Sequence, residues 1–324
     1  MIVVTGGAGF IGSALVWFLN RIGRDDIIIV DRLGQGEKWK NLNGLKYADI
    51  FHKDDFYEMI VNDALPYTVE SIAHIGACSS TTEKDADYLL FNNFKYSQAV
   101  AQYCLEHEAR FVYASSAATY GDGSQGYADD EEMIEKLRPL NMYGYSKQMF
   151  DLWIKREGLL DKVAGIKYFN VYGPNEYHKG EMRSVVHKAF GQIKETGRVK
   201  LFKSYHPDYK DGEQKRDFIY VKDAVKMTYF LLENKNVNGI FNVGTGEART
   251  WNDLVKAIFD ALEKPVEIEY IEMPEYLRPK YQYFTQAELS KIRQAGYTEK
   301  ISSIEEGVAD YVRNYLLKKE YLAW

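Results

Sequence analysis

The chain has 324 residues, with 41 Lys+Arg against 47 Asp+Glu for a net charge of −6, and is 46% hydrophobic. Mean hydropathy is −0.40 and no run nears the ~18 apolar residues of a membrane span, so a globular chain of one large or two smaller domains is expected. Mild acidity argues against nucleic acid or a membrane as partner. Cys78 and Cys104 exclude a disulfide scaffold and a four-cysteine zinc site and fit a reducing, cytoplasmic setting, and six scattered histidines suggest no metal centre.

Residues 1–4 are an apolar run that starts too early to leave room for a signal peptide. Glycines follow, then an amphipathic stretch at 11–22 and a second apolar run at 27–30. Further strands are expected at 44–48, 71–75, 110–114 and 163–168, with helices at 53–62, 88–108 and 145–157. Continuous apolar runs separated by helices predict an α/β fold, a doubly wound Rossmann-type parallel sheet. After Val171 the rhythm loosens. Residues 174–215 are polar and rich in Lys, Tyr and Gly, 216–235 read as a strand and helix returning to the main domain, and 240–324 mix short strands and helices. This predicts a sheet domain of 1–169 with 216–242 and 290–304. A smaller α/β domain of several excursions takes 170–215, 243–289 and 305–324. Tyr is abundant, at 26 residues, which fits either a polar ligand pocket or a subunit interface.

Residues 5–13 read TGGAGFIGS. Gly7, Gly9 and Gly12 have the GxGxxG spacing after a strand and at a helix start, with Gly6 extending the turn and Phe10 and Ile11 opening the helix. Gly7 is expected to permit the tight turn, Gly9 close approach to a pyrophosphate, and Gly12 close helix packing, with the phosphates at the helix N-terminus. Asp31 ends the second strand, where an acid accepts from a ribose 2′-hydroxyl and favours NAD. Arg32 and Lys38 are cations suited instead to the 2′-phosphate of NADP. The residues alone leave both open.

Residues 143–147 read YGYSK and place Tyr143 and Lys147 on one helix face. A tyrosine of free pKa ~10 needs a nearby cation to act as a base; so aided, Tyr143 moves a proton at a sugar hydroxyl while hydride leaves its carbon. YASSAATYG at 113–121 puts Ser115 and Ser116 at a strand end, where open sheets place ligands. Adjacent strand residues face opposite ways, so only one of the two serines faces a substrate.

Together with KYFNVYGP at 167–174 and KRDFIYVKDA at 215–224, these motifs resemble the extended short-chain dehydrogenase/reductase family of nucleotide-sugar epimerases and dehydratases over nearly the whole chain. ACSSTTE at 77–83, EYHKG at 176–180 and YQYFTQAEL at 281–289 narrow the resemblance to members that invert C6 of an ADP-linked heptose. The resemblance implies Ser116 and Tyr143 as catalytic residues and Lys147 at the nicotinamide ribose. It implies Lys179 as a second base on the side opposite Tyr143, because the oxygen of an inverted carbon occupies two places. It tips the cofactor to NADP and adds Lys53, Asp49, Ile50, Ala77 and Asn93 as cofactor contacts. Asn170, His178, Ser184, Lys188, Phe202, Arg216 and Tyr281 fall around the substrate, with Tyr205, Tyr209 and Lys210 near its base and diphosphate. A cytoplasmic homo-oligomer, with rings of five as the pattern, is implied as well. The alternatives are an NAD-dependent UDP-sugar 4-epimerase and a non-catalytic cofactor sensor. A 4,6-dehydratase is disfavoured because Ser116 is followed by Ala117, Ala118 and Thr119 where an acid pair is needed.

Overall fold

The computed structural model describes residues 1–278 and 281–323. Its centre is a sheet of seven parallel strands, β1 (Ile2–Thr5), β2 (Ile27–Asp31), β3 (Asp49–His52), β4 (Ser71–His74), β5 (Arg110–Ser116), β6 (Ala164–Tyr168) and β10 (Gly239–Val243), in the order β10-β6-β5-β4-β1-β2-β3. Every residue of the six strands other than β3 is buried, as expected of a sheet covered on both faces. One face packs on helices α1 (Phe10–Arg21) and α7 (Val221–Glu233) through Leu15, Leu19, Ala224 and Leu231. The other packs on α2 (Lys53–Val61), α4 (Tyr96–Glu106) and α5 (Met142–Arg156) through Phe56, Val100, Phe150 and Ile154. The expected α/β doubly wound architecture is present, and strand order reverses beside β1, immediately before the glycine turn.

Two local expectations shift. The strand expected at 44–48 lies at Asp49–His52, because Gly44 takes a left-handed φ of +79° and β3 is an edge strand with alternating burial rather than an apolar run. The helix expected at 88–108 starts earlier, at α3 (Ala86–Leu89), and passes through a π-turn at Leu90–Lys95 before α4. The extra residue of a π-turn re-aims side chains, and Asn92 and Asn93 are buried there.

The remaining strands form two small sheets. β9 (Lys215–Tyr220) pairs in parallel with β7 (Asn170–Tyr172) and antiparallel with β11 (Ala248–Thr250), while the helix that follows it, α7, packs on the central sheet. β8 (Val199–Phe202) pairs in parallel with β12 (Ile268–Ile271). Around them lie α6 (Val185–Thr196), α8 (Trp251–Ala261), α9 (Ser290–Gln294) and α10 (Ile304–Asp310). Among the described residues no helix is long and apolar enough to cross a membrane, and no group of His, Cys, Asp or Glu is arranged to hold a metal.

Candidate active site

A cavity of about 740 Å³ opens at the C-terminal ends of β1, β2, β4, β5 and β6, bounded on its other side by β7, the 178–186 loop and α8. It lies at the switch point of the sheet, where open α/β sheets place ligands.

The glycine turn forms one wall. Gly6, not Gly7, carries the left-handed backbone, with φ of +66°, and a Cβ there would sit 2.6 Å from the Cα of Gly76. Gly7 instead packs against Val4 and Ile29, and a Cβ on Gly12 would fall on the carbonyl oxygen of Gly6. Gly9 is the N-cap of α1 and no side chain caps that end. The first-turn amides are left for a ligand, where the helix dipole favours negative charge.

Asp31 ends β2 but is heavily engaged. Oδ2 accepts from the Ala8 amide at 2.9 Å, and Oδ1 accepts from the Arg32 amide at 2.6 Å and from Lys38 Nζ. Arg32, Lys38 and Lys53 all line this end of the cavity. Gly6, Gly9, Phe10, Ile11, Gly12, Asp31 and Ala77 line it too, whereas Gly7, Asp49, Ile50 and Asn93 do not. Asp49 is held by the Tyr67 hydroxyl at 2.8 Å on the edge strand beside the exposed Ile50. Asn93 sits behind the wall, accepting from the Cys78 amide at 2.8 Å and donating to the Cys78 carbonyl at 2.9 Å and to Ser146 Oγ at 3.0 Å. It shapes the 77–78 turn from beneath.

Ser116, Tyr143 and Lys147 meet at the end of β5. Both serines line the cavity. Ser115 donates to the buried Asp151 at 2.8 Å, and Ser116 accepts from the Ala118 amide at 3.1 Å. Burial raises the pKa of the Tyr143 phenol, opposed by a hydrogen bond with Ser116. Lys147 donates to the Ala114 carbonyl at 2.7 Å, and burial pushes it down to about 8 against the pull of Asp151.

Lys179 lines the same cavity. Its loop follows β7, and its ammonium lies 5.3 Å from the centre of the Phe10 ring at the start of α1. Burial lowers the Lys179 pKa, with Glu176 opposing. His178 is driven down to about 4 by burial and by Lys38 and Lys179, so it is neutral. Its Nδ1 is 3.2 Å from Asn41 Nδ2, beside the glycine turn.

Of the other substrate-side residues, Asn170 and Ser184 line the cavity; Lys188, Phe202, Arg216 and Tyr281 do not. Lys188 pairs with Glu181 at 3.3 Å. Arg216 is buried between the Trp251 and Tyr281 rings, 5.7 and 5.4 Å from their centres, and donates to the carbonyls of Lys215 and Gln282. Phe202 ends β8, and the aromatic cluster nearby comprises His206, Tyr209 and Tyr283. Sequence reasoning did not single out Cys78, Ser79, Ser80, Tyr88, Met182 or Trp251 as lining residues. The ACSSTTE string was the available signal for the first three.

Residues 2–244 match the NAD dependent epimerase/dehydratase family, and the chain belongs to it. Among its relatives is the ADP-L-glycero-D-manno-heptose-6-epimerase of Nitratidesulfovibrio vulgaris, 58% identical over 316 residues, covering 98% of each chain. The protein of that name from Fusobacterium nucleatum is 51% identical and covers 99% of each. Among solved structures, the Helicobacter pylori ADP-L-glycero-D-manno-heptose-6-epimerase superimposes with a TM-score of 0.80 at 26% identity, covering 97% of this chain and 95% of that one. The Thermus thermophilus UDP-glucose 4-epimerase, solved with NAD, gives 0.75 at 26% identity over 97% and 99%. A nicotinamide nucleotide is therefore the cofactor class.

Proposed function

We propose that this chain inverts C6 of the heptose in ADP-D-glycero-β-D-manno-heptose to give the L-glycero epimer. The observation that supports the reading is that Ser116, Tyr143 and Lys179 line one cavity at the ends of the sheet strands. It joins the 58% identity to a relative of that name. C6 bears a hydroxyl but no acidic C–H, so inversion proceeds through a 6-keto sugar. A nicotinamide nucleotide held by the glycine turn would supply the hydride-transfer chemistry that this oxidation and reduction require.

The protein's own groups handle the oxygen and its proton. Ser116 holds the C6 oxygen by hydrogen bond as it gains carbonyl character. Tyr143 takes or gives the proton for one configuration and Lys179 for the other. Lys147, fixed on the Ala114 carbonyl, places a positive charge at the ribose and beside the phenol.

At the adenosine end the reading is NADP, with the 2′-phosphate among Arg32, Lys38 and Lys53; the carboxylate of Asp31 is already committed to the Ala8 amide and Lys38. The second reading is NAD, favoured by the presence of Asp31 itself at the end of β2. The protein is read as a cytoplasmic homo-oligomer, pentameric by the family resemblance, a state that sedimentation measures.

The test is incubation with ADP-D-glycero-β-D-manno-heptose, following both epimers by chromatography and identifying the nucleotide released on denaturation. The expected result is conversion with NADP released. NAD released with conversion overturns only the cofactor reading. No conversion, with UDP-glucose epimerised instead, overturns the substrate reading and returns Lys179 to a pocket-wall charge.

A further inference from the structure

The loop that presents Lys179 is tied to the glycine turn and to the chain's last residues through one side chain, Asn175. It is fully buried and has a left-handed φ of +75°, a conformation that asparagine tolerates better than most residues. Its Nδ2 donates to Ser13 Oγ at 2.9 Å, one residue past Gly12 in α1. Its Oδ1 accepts from the Leu322 amide at 2.9 Å. Its carbonyl accepts from Asn41 Nδ2 at 2.9 Å, and the same Asn41 nitrogen lies 2.9 Å from the Ala8 carbonyl and 3.2 Å from His178 Nδ1.

The terminal segment adds a second layer. Tyr177 donates its hydroxyl to the Glu320 carbonyl at 2.7 Å, its ring meets Tyr321 edge-on at 4.8 Å, and Trp17 of α1 donates to the Ala323 carbonyl at 3.1 Å. On the far side of Lys179 the loop is closed by Glu176, which accepts from the Ser184 amide at 2.5 Å and its hydroxyl at 2.6 Å. Segments more than a hundred residues apart in sequence thus converge within four residues of Lys179, and they include both walls of the phosphate-binding turn.

We propose that Asn175, braced by Asn41 and by the terminal segment at 320–323, is a positioning residue that fixes Lys179 relative to the glycine turn, and hence to the cofactor. Its function is to hold a long, flexible lysine where one epimer presents its C6 oxygen. This rests on the reading of Lys179 as a proton carrier.

The experiment is a double-mutant cycle of Asn175→Gly with Lys179→Ala in the full chain, measuring kcat and KM for each epimer. Glycine keeps the left-handed backbone and removes only the side-chain bonds. Misplacement by ~1 Å costs on the order of a hundredfold, so Asn175→Gly is expected to lower kcat by about tenfold or more with KM changed under about threefold. On the Lys179→Ala background it is expected to cost nothing further. Effects that simply multiply would overturn the positioning role while leaving Lys179 catalytic. Full activity in Lys179→Ala would overturn the proton role, and the clasp with it. Should Asn175→Gly not fold, Ser13→Ala and Tyr177→Phe each remove one bond of the clasp, and unchanged kcat in both overturns the proposal.

Discussion

Asp151 offers the sharpest energetic test. Its carboxylate is fully buried one helical turn beyond Lys147, and it accepts from Lys167 Nζ at 2.7 Å, Ser115 Oγ at 2.8 Å and the Tyr113 hydroxyl at 3.0 Å. Lys167, 2% exposed, also donates to Thr119 Oγ1 at 2.6 Å and lies 5.2 Å from the centre of the Tyr120 ring. Asp151→Ala therefore leaves an ammonium and two hydroxyls in a dry interior. Breaking a buried pair from one side costs ~3–5 kcal/mol, against a total stability of ~5–15 kcal/mol. Asp151→Ala with Lys167→Met removes both charges, and at least half the loss is expected to return, since apolar replacement of a buried pair is often close to neutral. Urea midpoints of the parent, both single variants and the double variant measure this. A loss under ~1 kcal/mol for Asp151→Ala, or a double variant equal to the sum of the singles, refutes the reasoning. Activity gives a second readout. Burial pushes Lys147 down to about 8, and Asp151 is the foremost group opposing it. Catalysis that needs the Lys147 ammonium falls as pH rises through that value, so loss of the carboxylate alone in Asp151→Ala moves the fall to lower pH.

Gly12→Ala drives a Cβ onto the Gly6 carbonyl, and the purified variant is expected to release little or no nicotinamide nucleotide on denaturation while the parent releases it stoichiometrically. Ser116→Ala removes a donor to the developing carbonyl oxygen and is expected to lower kcat by ~10²–10³ with little change in KM, read by steady-state kinetics on either epimer. His74 lies between Thr5 Oγ1 at 2.8 Å and Ser97 Oγ at 2.9 Å, and burial drives it down to about 3. It folds neutral and protonates more readily when unfolded, so its contribution to stability is full above pH ~6.5 and is lost as pH falls toward the folded value. His74→Gln is expected to flatten the fall in urea midpoint over that range.

The central sheet was legible because its strands are buried on both faces and read as apolar runs, each followed by turn chemistry. What misled at β3 is the same rule applied at an edge, where Asp49–His52 alternates in burial and gives no run. The small sheets were illegible for a different reason. β7 and β11 are three residues each, and their partner β9 lies far away in sequence, so no local period marks them. The proposed catalytic group rests on two spacings, four residues on a helix for Tyr143 and Lys147 and adjacency on a strand for Ser115 and Ser116, and all four residues line one cavity.

Residues acting at a distance in sequence resisted both kinds of reading. Asn93 matched a family position but works from behind the wall, because the π-turn at Leu90–Lys95 points it at the Cys78 backbone. Arg216 matched too, yet its guanidinium is held by two rings and two carbonyls outside the cavity lining. Asn175 carries no motif signal at all, since its bonds to Ser13 and Leu322 span 162 and 147 residues. A sequence pattern records which side chain suits a site. The hydrogen-bond partners of a buried amide decide instead whether that side chain reaches the ligand or holds the residue that does.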